Sequence, residues 1–244
     1  MSFQLISTSA IEWYVIFILL VVFAFICYLE YKNKIYFGKK QSYLMLLAIS
    51  FLVFVKILAD VLSQGAITRL DFLVSEKIIS FWQPSLSSAV IYFVQITNFL
   101  GVVMFTFLLL FFIQNKKYNK FALLAFGFVF SLFSEVLIKR LFQIERPIES
   151  LIELFDYGFP SGHVTVATTT AFLIYFIFER SIKQKSSKKI FALTLFLVLI
   201  LIAFSRVYLN VHTLSEVLAG FALGTFISSA LILIFEKLKI SIKS

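Results

Sequence analysis

Three short clusters between Lys139 and Glu216 hold residue types suited to handling a phosphate. The first is Lys139-Arg-Leu-Phe-Gln-Ile-Glu-Arg146-Pro147, and the second is Pro160-Ser161-Gly162-His163. The third is Ser205-Arg206-Val-Tyr-Leu-Asn-Val-His212-Thr-Leu-Ser-Glu216. Each lies at the end of a long apolar run, where a charge is costly unless it has a task. Both histidines of the chain, His163 and His212, fall inside these clusters.

Each cluster has a chemical reading and a plainer one. Lys139 and Arg146 are seven apart, about two helical turns, so a continuous helix would put them on one face. Pro147 disfavours helical geometry at Arg146, so the helix is expected to end near there and the arginine to turn inward. Glu135 precedes Lys139 by four, the favourable order for a helical ion pair. The plainer reading is two basic side chains snorkelling at a helix end. In the second cluster small residues open a helix whose N–H groups can face an anion, with the Ser161 hydroxyl and His163 beside them. A turn with a serine N-cap would look the same. In the third, Glu216 follows His212 by one turn and can fix the imidazole tautomer, which makes the other ring nitrogen a nucleophile. Thr213-Leu-Ser-Glu216 also fits a capping box, and a single Glu216 rotamer is not expected to serve both roles fully. Arg206 could equally be a snorkelling residue at a span end.

Taken together, the clusters supply cations and a helix N-terminus for a phosphoryl oxyanion, a histidine nucleophile with its carboxylate, and a second histidine as acid. No metal-ligating set accompanies the histidines, so a mechanism without metal or other cofactor is expected.

The elements that must position these groups are membrane helices. The chain has 244 residues, 61% hydrophobic and 14% charged, with a mean hydropathy of +0.98. Soluble domains carry about 25% charged residues. Seven spans are expected: Ala10–Tyr31, Tyr43–Gln64, Ala89–Ile113, Phe121–Phe142, His163–Phe178, Ile190–Tyr208 and Leu214–Phe235. The fold class is all-α, a polytopic bundle. The fifth span is the shortest, and its Thr165, Thr168, Thr169 and Thr170 should pack inside. Between the second and third spans, Gly65–Ser88 has the pattern of an amphipathic interfacial helix, read as a connector anchored by Trp82.

The net charge of +9 would suggest nucleic acid in a soluble protein, but the lysines here sit in short loops between spans. Lys32, Lys34, Lys39 and Lys40, then Lys116, Lys117 and Lys120, then Arg180, Lys183, Lys185, Lys188 and Lys189, and finally Lys237, Lys239 and Lys243 occupy alternate loops and the tail. The positive-inside rule makes these cytoplasmic, with the N-terminus outside and all three clusters on the outer face. No nucleic-acid partner is expected. The single Cys27 allows no disulfide within the chain, and no removable leader or internal repeat is expected.

The motifs resemble those of the type 2 phosphatidic acid phosphatase superfamily, which is related to vanadium haloperoxidases. That family's pattern is Lys-x6-Arg-Pro, Pro-Ser-Gly-His and Ser-Arg-x5-His-x3-Asp. Lys139, Arg146 and Pro147 match the first, Pro160 to His163 the second, and Ser205, Arg206 and His212 the third. The resemblance implies a six-span core at 43–244, preceded by an extra span and loop at 1–42. It also implies that His212 attacks phosphorus to give a phosphohistidine, and that His163 protonates the leaving oxygen and then helps activate water. Lys139, Arg146, Ser161, the Gly162 amide and Arg206 would hold the phosphate. Glu216 departs from the family's Asp, and its extra methylene displaces the carboxylate by about 1.5 Å.

The expected activity is a lipid phosphatase at the outer face of a bacterial cell membrane, with undecaprenyl diphosphate the favoured substrate. Phosphatidic acid or phosphatidylglycerol phosphate comes next, then lipid A. The rival class is a non-catalytic lipid-binding or transport protein of the same fold. Oligomeric state is not set by the sequence. Lys56 and Asp60, outside the motifs, read as a buried ion pair near the outer end of the second span.

Overall fold

The computed structural model describes residues 39–238. The span expected at Ala10–Tyr31, together with Cys27, Lys32, Lys34, Lys239 and Lys243, lies outside them. Seven helices make up the described residues: α1 Lys39–Leu62, α2 Ala66–Ser80, α3 Pro84–Gln114, α4 Tyr118–Phe142, α5 Gly162–Phe178, α6 Lys185–Tyr208 and α7 Leu214–Lys237. Five of them (α1, α3, α4, α6 and α7) are long and apolar enough to cross a membrane. The chain is an all-α integral membrane bundle.

α5 is shorter, 17 residues or about 25 Å at 1.5 Å per residue. It lies inside the bundle between α4, α6 and α7. Thr165, Thr168 and Thr169 are buried, as expected, and Thr170 is half-buried. The Thr165 hydroxyl donates back to the Ser161 carbonyl, and Ser131 Oγ of α4 donates to Thr169 Oγ1, so these two threonines are paired within the bundle, while Thr168 Oγ1 has no partner among the described residues. α5 and α7 approach closely because Gly220 and Gly224 lack side chains: a Cβ there would stand 2.8 Å from Ser161 O and 2.7 Å from Thr165 O. α7 also packs along α1, so it is the central helix of the fold.

Helix direction alternates so that the ends of α4 and α6 meet the starts of α5 and α7. The connections 143–161 and 209–213 therefore lie side by side at one end, with Ser161 N–H donating to Glu216 O (3.0 Å). At the opposite end Glu179 gathers Lys39, Arg180 (3.7 Å) and Lys188 (3.8 Å). Lysine-rich segments thus lie at one end of the bundle and the three motifs at the other.

The expected amphipathic segment contains α2, whose Leu70, Phe72 and Leu73 are exposed while Ile67 and Asp71 are buried. Lys56 and Asp60 do pair (3.6 Å). Asp60 has a second task, since Oδ2 accepts the Ile67 N–H (2.7 Å) and so caps α2 from α1.

Candidate active site

The first cluster follows the expected course, with the helix ending before Arg146 and the arginine turned inward. α4 ends at Phe142, four residues before Arg146, because Gln143 takes a left-handed conformation (φ 48°) and closes the helix onto Lys139 O. Lys139 and Arg146 therefore do not share a helix face. Lys139 projects from the last turn of α4, while Arg146 returns on the following connection. Both are mostly buried rather than snorkelling: their side chains are 7% and 12% exposed.

A carboxylate that sequence reasoning missed joins them. Asp156 Oδ2 accepts from Lys139 Nζ (2.5 Å) and Oδ1 from Arg146 Nη2 (2.6 Å). Arg146 Nε also donates to the Asp156 backbone carbonyl (2.9 Å). Partial burial would raise the Asp156 pKa, but hydrogen bonds from Lys139 and Arg146 prevail and hold it below the ordinary carboxylate range. The expected Glu135–Lys139 pair is present (2.8 Å), and the Glu135 carboxylate lies against Gly162 at the start of α5. The available sequence signal for Asp156 was modest: it is one of three acids, with Glu149 and Glu153, in the stretch between two motifs.

In the second cluster Ser161 occupies the N-cap position of α5, but its side chain makes no capping bond. Its hydroxyl is completely buried and has no hydrogen-bond partner among the described residues. The simple N-cap explanation of this serine therefore fails. His163, in the first turn of α5, is exposed, and the charges of Arg206, Lys139, Arg146 and Asp156 all act on it.

The third cluster converges on His212, which sits in the connection before α7 and is buried with Glu216. Nδ1 lies 2.6 Å from Glu216 Oε2, and Arg146 Nη1 lies 3.2 Å from Nε2. A carboxylate on Nδ1 and a cationic donor at Nε2 assign the tautomer with the proton on Nδ1 and the lone pair on Nε2. Burial, followed by the charges of Arg146 and Lys139, holds the His212 pKa well below its ordinary 6.5, so the ring is neutral.

Glu216 corrects another expectation. It forms the capping box with Thr213 and contacts His212 in one rotamer, because Oε2 accepts from the Thr213 N–H (3.3 Å) as well as from Nδ1. The longer side chain fits because of Gly158, where a Cβ would collide with the carboxylate, 2.8 Å from Cδ. Arg206, at the end of α6, is 5% exposed, and its Nε has no partner among the described residues. It does not snorkel.

The structure thus brings Lys139, Arg146, Ser161, Gly162, His163, Arg206, His212 and Glu216 to one end of the bundle. A buried guanidinium nitrogen and a buried hydroxyl without partners suit a multivalent oxyanion. Among the described residues no His/Cys/Asp/Glu group is arranged to hold a metal ion.

Fold and site together define a membrane phosphatase class, and residues 138–240 match the PAP2 superfamily model, covering all three motifs. Through this segment the chain resembles the phosphatases of the PAP2 superfamily. It is 28% identical over 184 residues to phosphatidylglycerophosphatase B of Bacillus subtilis (strain 168), covering 72% of this chain and 88% of that protein. Its fold is similar to the crystal structure of a transmembrane PAP2-type phosphatidylglycerolphosphate phosphatase from Bacillus subtilis. The TM-score is 0.64 at 22% identity, covering 79% of this chain and 97% of that one.

Proposed function

We propose that this protein hydrolyses a lipid phosphate at the outer membrane–water interface through a phosphohistidine. The carrying observation is the buried, carboxylate-paired His212 set among buried cations, one of them Arg206 with its unpartnered Nε. His212 Nε2 attacks phosphorus while His163 gives a proton to the departing lipid oxygen. The first products are phosphohistidine and the dephosphorylated lipid. Water then attacks the phosphohistidine, passes its proton to His163, and inorganic phosphate leaves. Lys139, Arg146, Arg206, Ser161 and the Gly162 amide hold the three non-bridging oxygens, whose charge rises as the bonds exchange.

Phosphatidylglycerophosphate is the first substrate to test, because the curated relative is a phosphatidylglycerophosphatase. Undecaprenyl diphosphate, favoured on the sequence, is the second. The outer-face assignment rests on the alternation of lysine-rich loops. Purified protein should release phosphate from one of these lipids in EDTA, be inhibited by vanadate, and lose activity in His212→Ala. Full phosphate release by His212→Ala overturns the reading.

A further inference from the structure

On sequence, α2 read as a connector, but its polar side chains hydrogen-bond the residues on either side of His212. Ile67, Asp71 and Ser75 recur every four residues and so share one face. Asp71 Oδ1 accepts the Ser215 N–H (2.8 Å), and Oδ2 accepts the Ser215 hydroxyl. One turn on, Ser75 Oγ donates to Asn210 Oδ1 (2.9 Å). Asn210 holds a left-handed backbone (φ 50°), and its amide donates to Glu149 O. Just past α2, Trp82 Nε1 donates to Tyr208 O (2.8 Å), and Ser87 Oγ lies 3.2 Å from the Tyr208 hydroxyl.

These contacts bracket His212. Tyr208 and Asn210 lie before it, and Ser215, immediately preceding Glu216, lies after it. Trp82 therefore serves as a hydrogen-bond donor to the site loop. α2 is itself fixed to α1 by the Asp60 cap on Ile67 N–H.

We propose that α2 is a clamp on the nucleophile loop and that Asp71 is a positioning residue for the His212–Glu216 pair. Asp71 holds the first turn of α7, which orients the Glu216 carboxylate toward Nδ1, while Ser75 and Trp82 hold the preceding turn. Leu209 and Val211 pack the connection 209–213 into an apolar cluster with Tyr208 and Val94, but that non-directional packing does not orient an imidazole, which the hydrogen bonds of the clamp can do. Displacing a reacting group by about 1 Å can cost roughly 10²-fold in rate, so such a clamp has a kinetic consequence. The role rests on the phosphatase reading, but the loop's rigidity can be measured without it.

The test uses the full chain in detergent micelles, with phosphatidylglycerophosphate as substrate. Asp71→Ala should speed amide hydrogen exchange across 208–216 while leaving α4, α5 and the body of α7 unchanged. Its kcat should fall about tenfold or more with KM within about twofold. Asp71→Asn, whose carbonyl can still accept the Ser215 N–H, should retain part of the rate. In a Glu216→Gln background Asp71→Ala should cost little more, because both act through His212. Unchanged exchange at 208–216 overturns the clamp, as does faster exchange spread through every helix, or fully additive rate losses. If the wild type releases phosphate from no lipid, the phosphatase reading fails while the exchange result still decides the clamp.

Discussion

The two halves of the anion site differ in how their cations are held. Lys139 and Arg146 already bond to an internal carboxylate: Asp156 bridges both, and Glu135 adds a second partner for Lys139. Arg206 and Ser161 are also buried, but each keeps a polar atom without a partner among the described residues. On the proposed reading, an arriving phosphate competes with Asp156 in the first half and gains new hydrogen bonds outright in the second. Matching a buried cation with its anion returns more than exchanging one anion for another, because the desolvation of the cation is already a cost of folding. The difference teaches that cations in one site need not contribute equally, even where their sequence motifs look equivalent.

The sharpest test is a ranking. Arg206→Ala should lower kcat/KM by about 10³-fold, the upper range for removing one oxyanion donor, and Lys139→Ala by less. Steady-state phosphate release would show it, and the reverse order would break the contrast between halves. Next in size, Gly158→Ala should drive the Glu216 carboxylate off His212 and lower kcat by about 10²-fold. Shortening the acid in Gly158→Ala/Glu216→Asp should recover part of that loss, since Asp withdraws from the new Cβ.

The pH profile follows from the burial of His212 and, after it, from the cations around it. On the proposed mechanism the neutral ring attacks phosphorus, so a lowered pKa extends its active form toward acid. A histidine titrating near 6.5 would leave roughly one-tenth neutral at pH 5.5. Here the acid limb of kcat/KM should lie below 6.5, and a loss of about tenfold by pH 5.5 would contradict the burial of His212. The smallest effect belongs to Asp156, whose side chain is 55% exposed. A solvent-screened pair contributes about 0–1 kcal/mol, so Asp156→Asn should tighten vanadate inhibition by up to about fivefold and leave kcat near wild type. A large fall in kcat would make Asp156 an organiser of the cations instead of their competitor.

The sequence by itself determined the membrane class, the described spans and the eight candidate site residues that the fold gathers. Those signals are local: apolar runs match a bilayer's thickness, and motif spacing within a few residues fixes which groups can share a turn. Helix starts were less legible than ends: the spans expected to end at Phe142 and Tyr208 do so, but helices begin at Lys39, Pro84 and Lys185, ahead of the apolar runs expected from Tyr43, Ala89 and Ile190, because a polar first turn adds nothing to an apolar pattern. Only the tertiary structure decided the rest. Asp71 meets Ser215 across 144 positions, Ser75 meets Asn210 across 135, and Gly158 makes room for Glu216. Such contacts leave no periodicity in the chain, because they depend on which helix ends the packing brings together. The same packing let Glu216 cap α7 and orient His212 with one oxygen, two roles that spacing alone had set in competition.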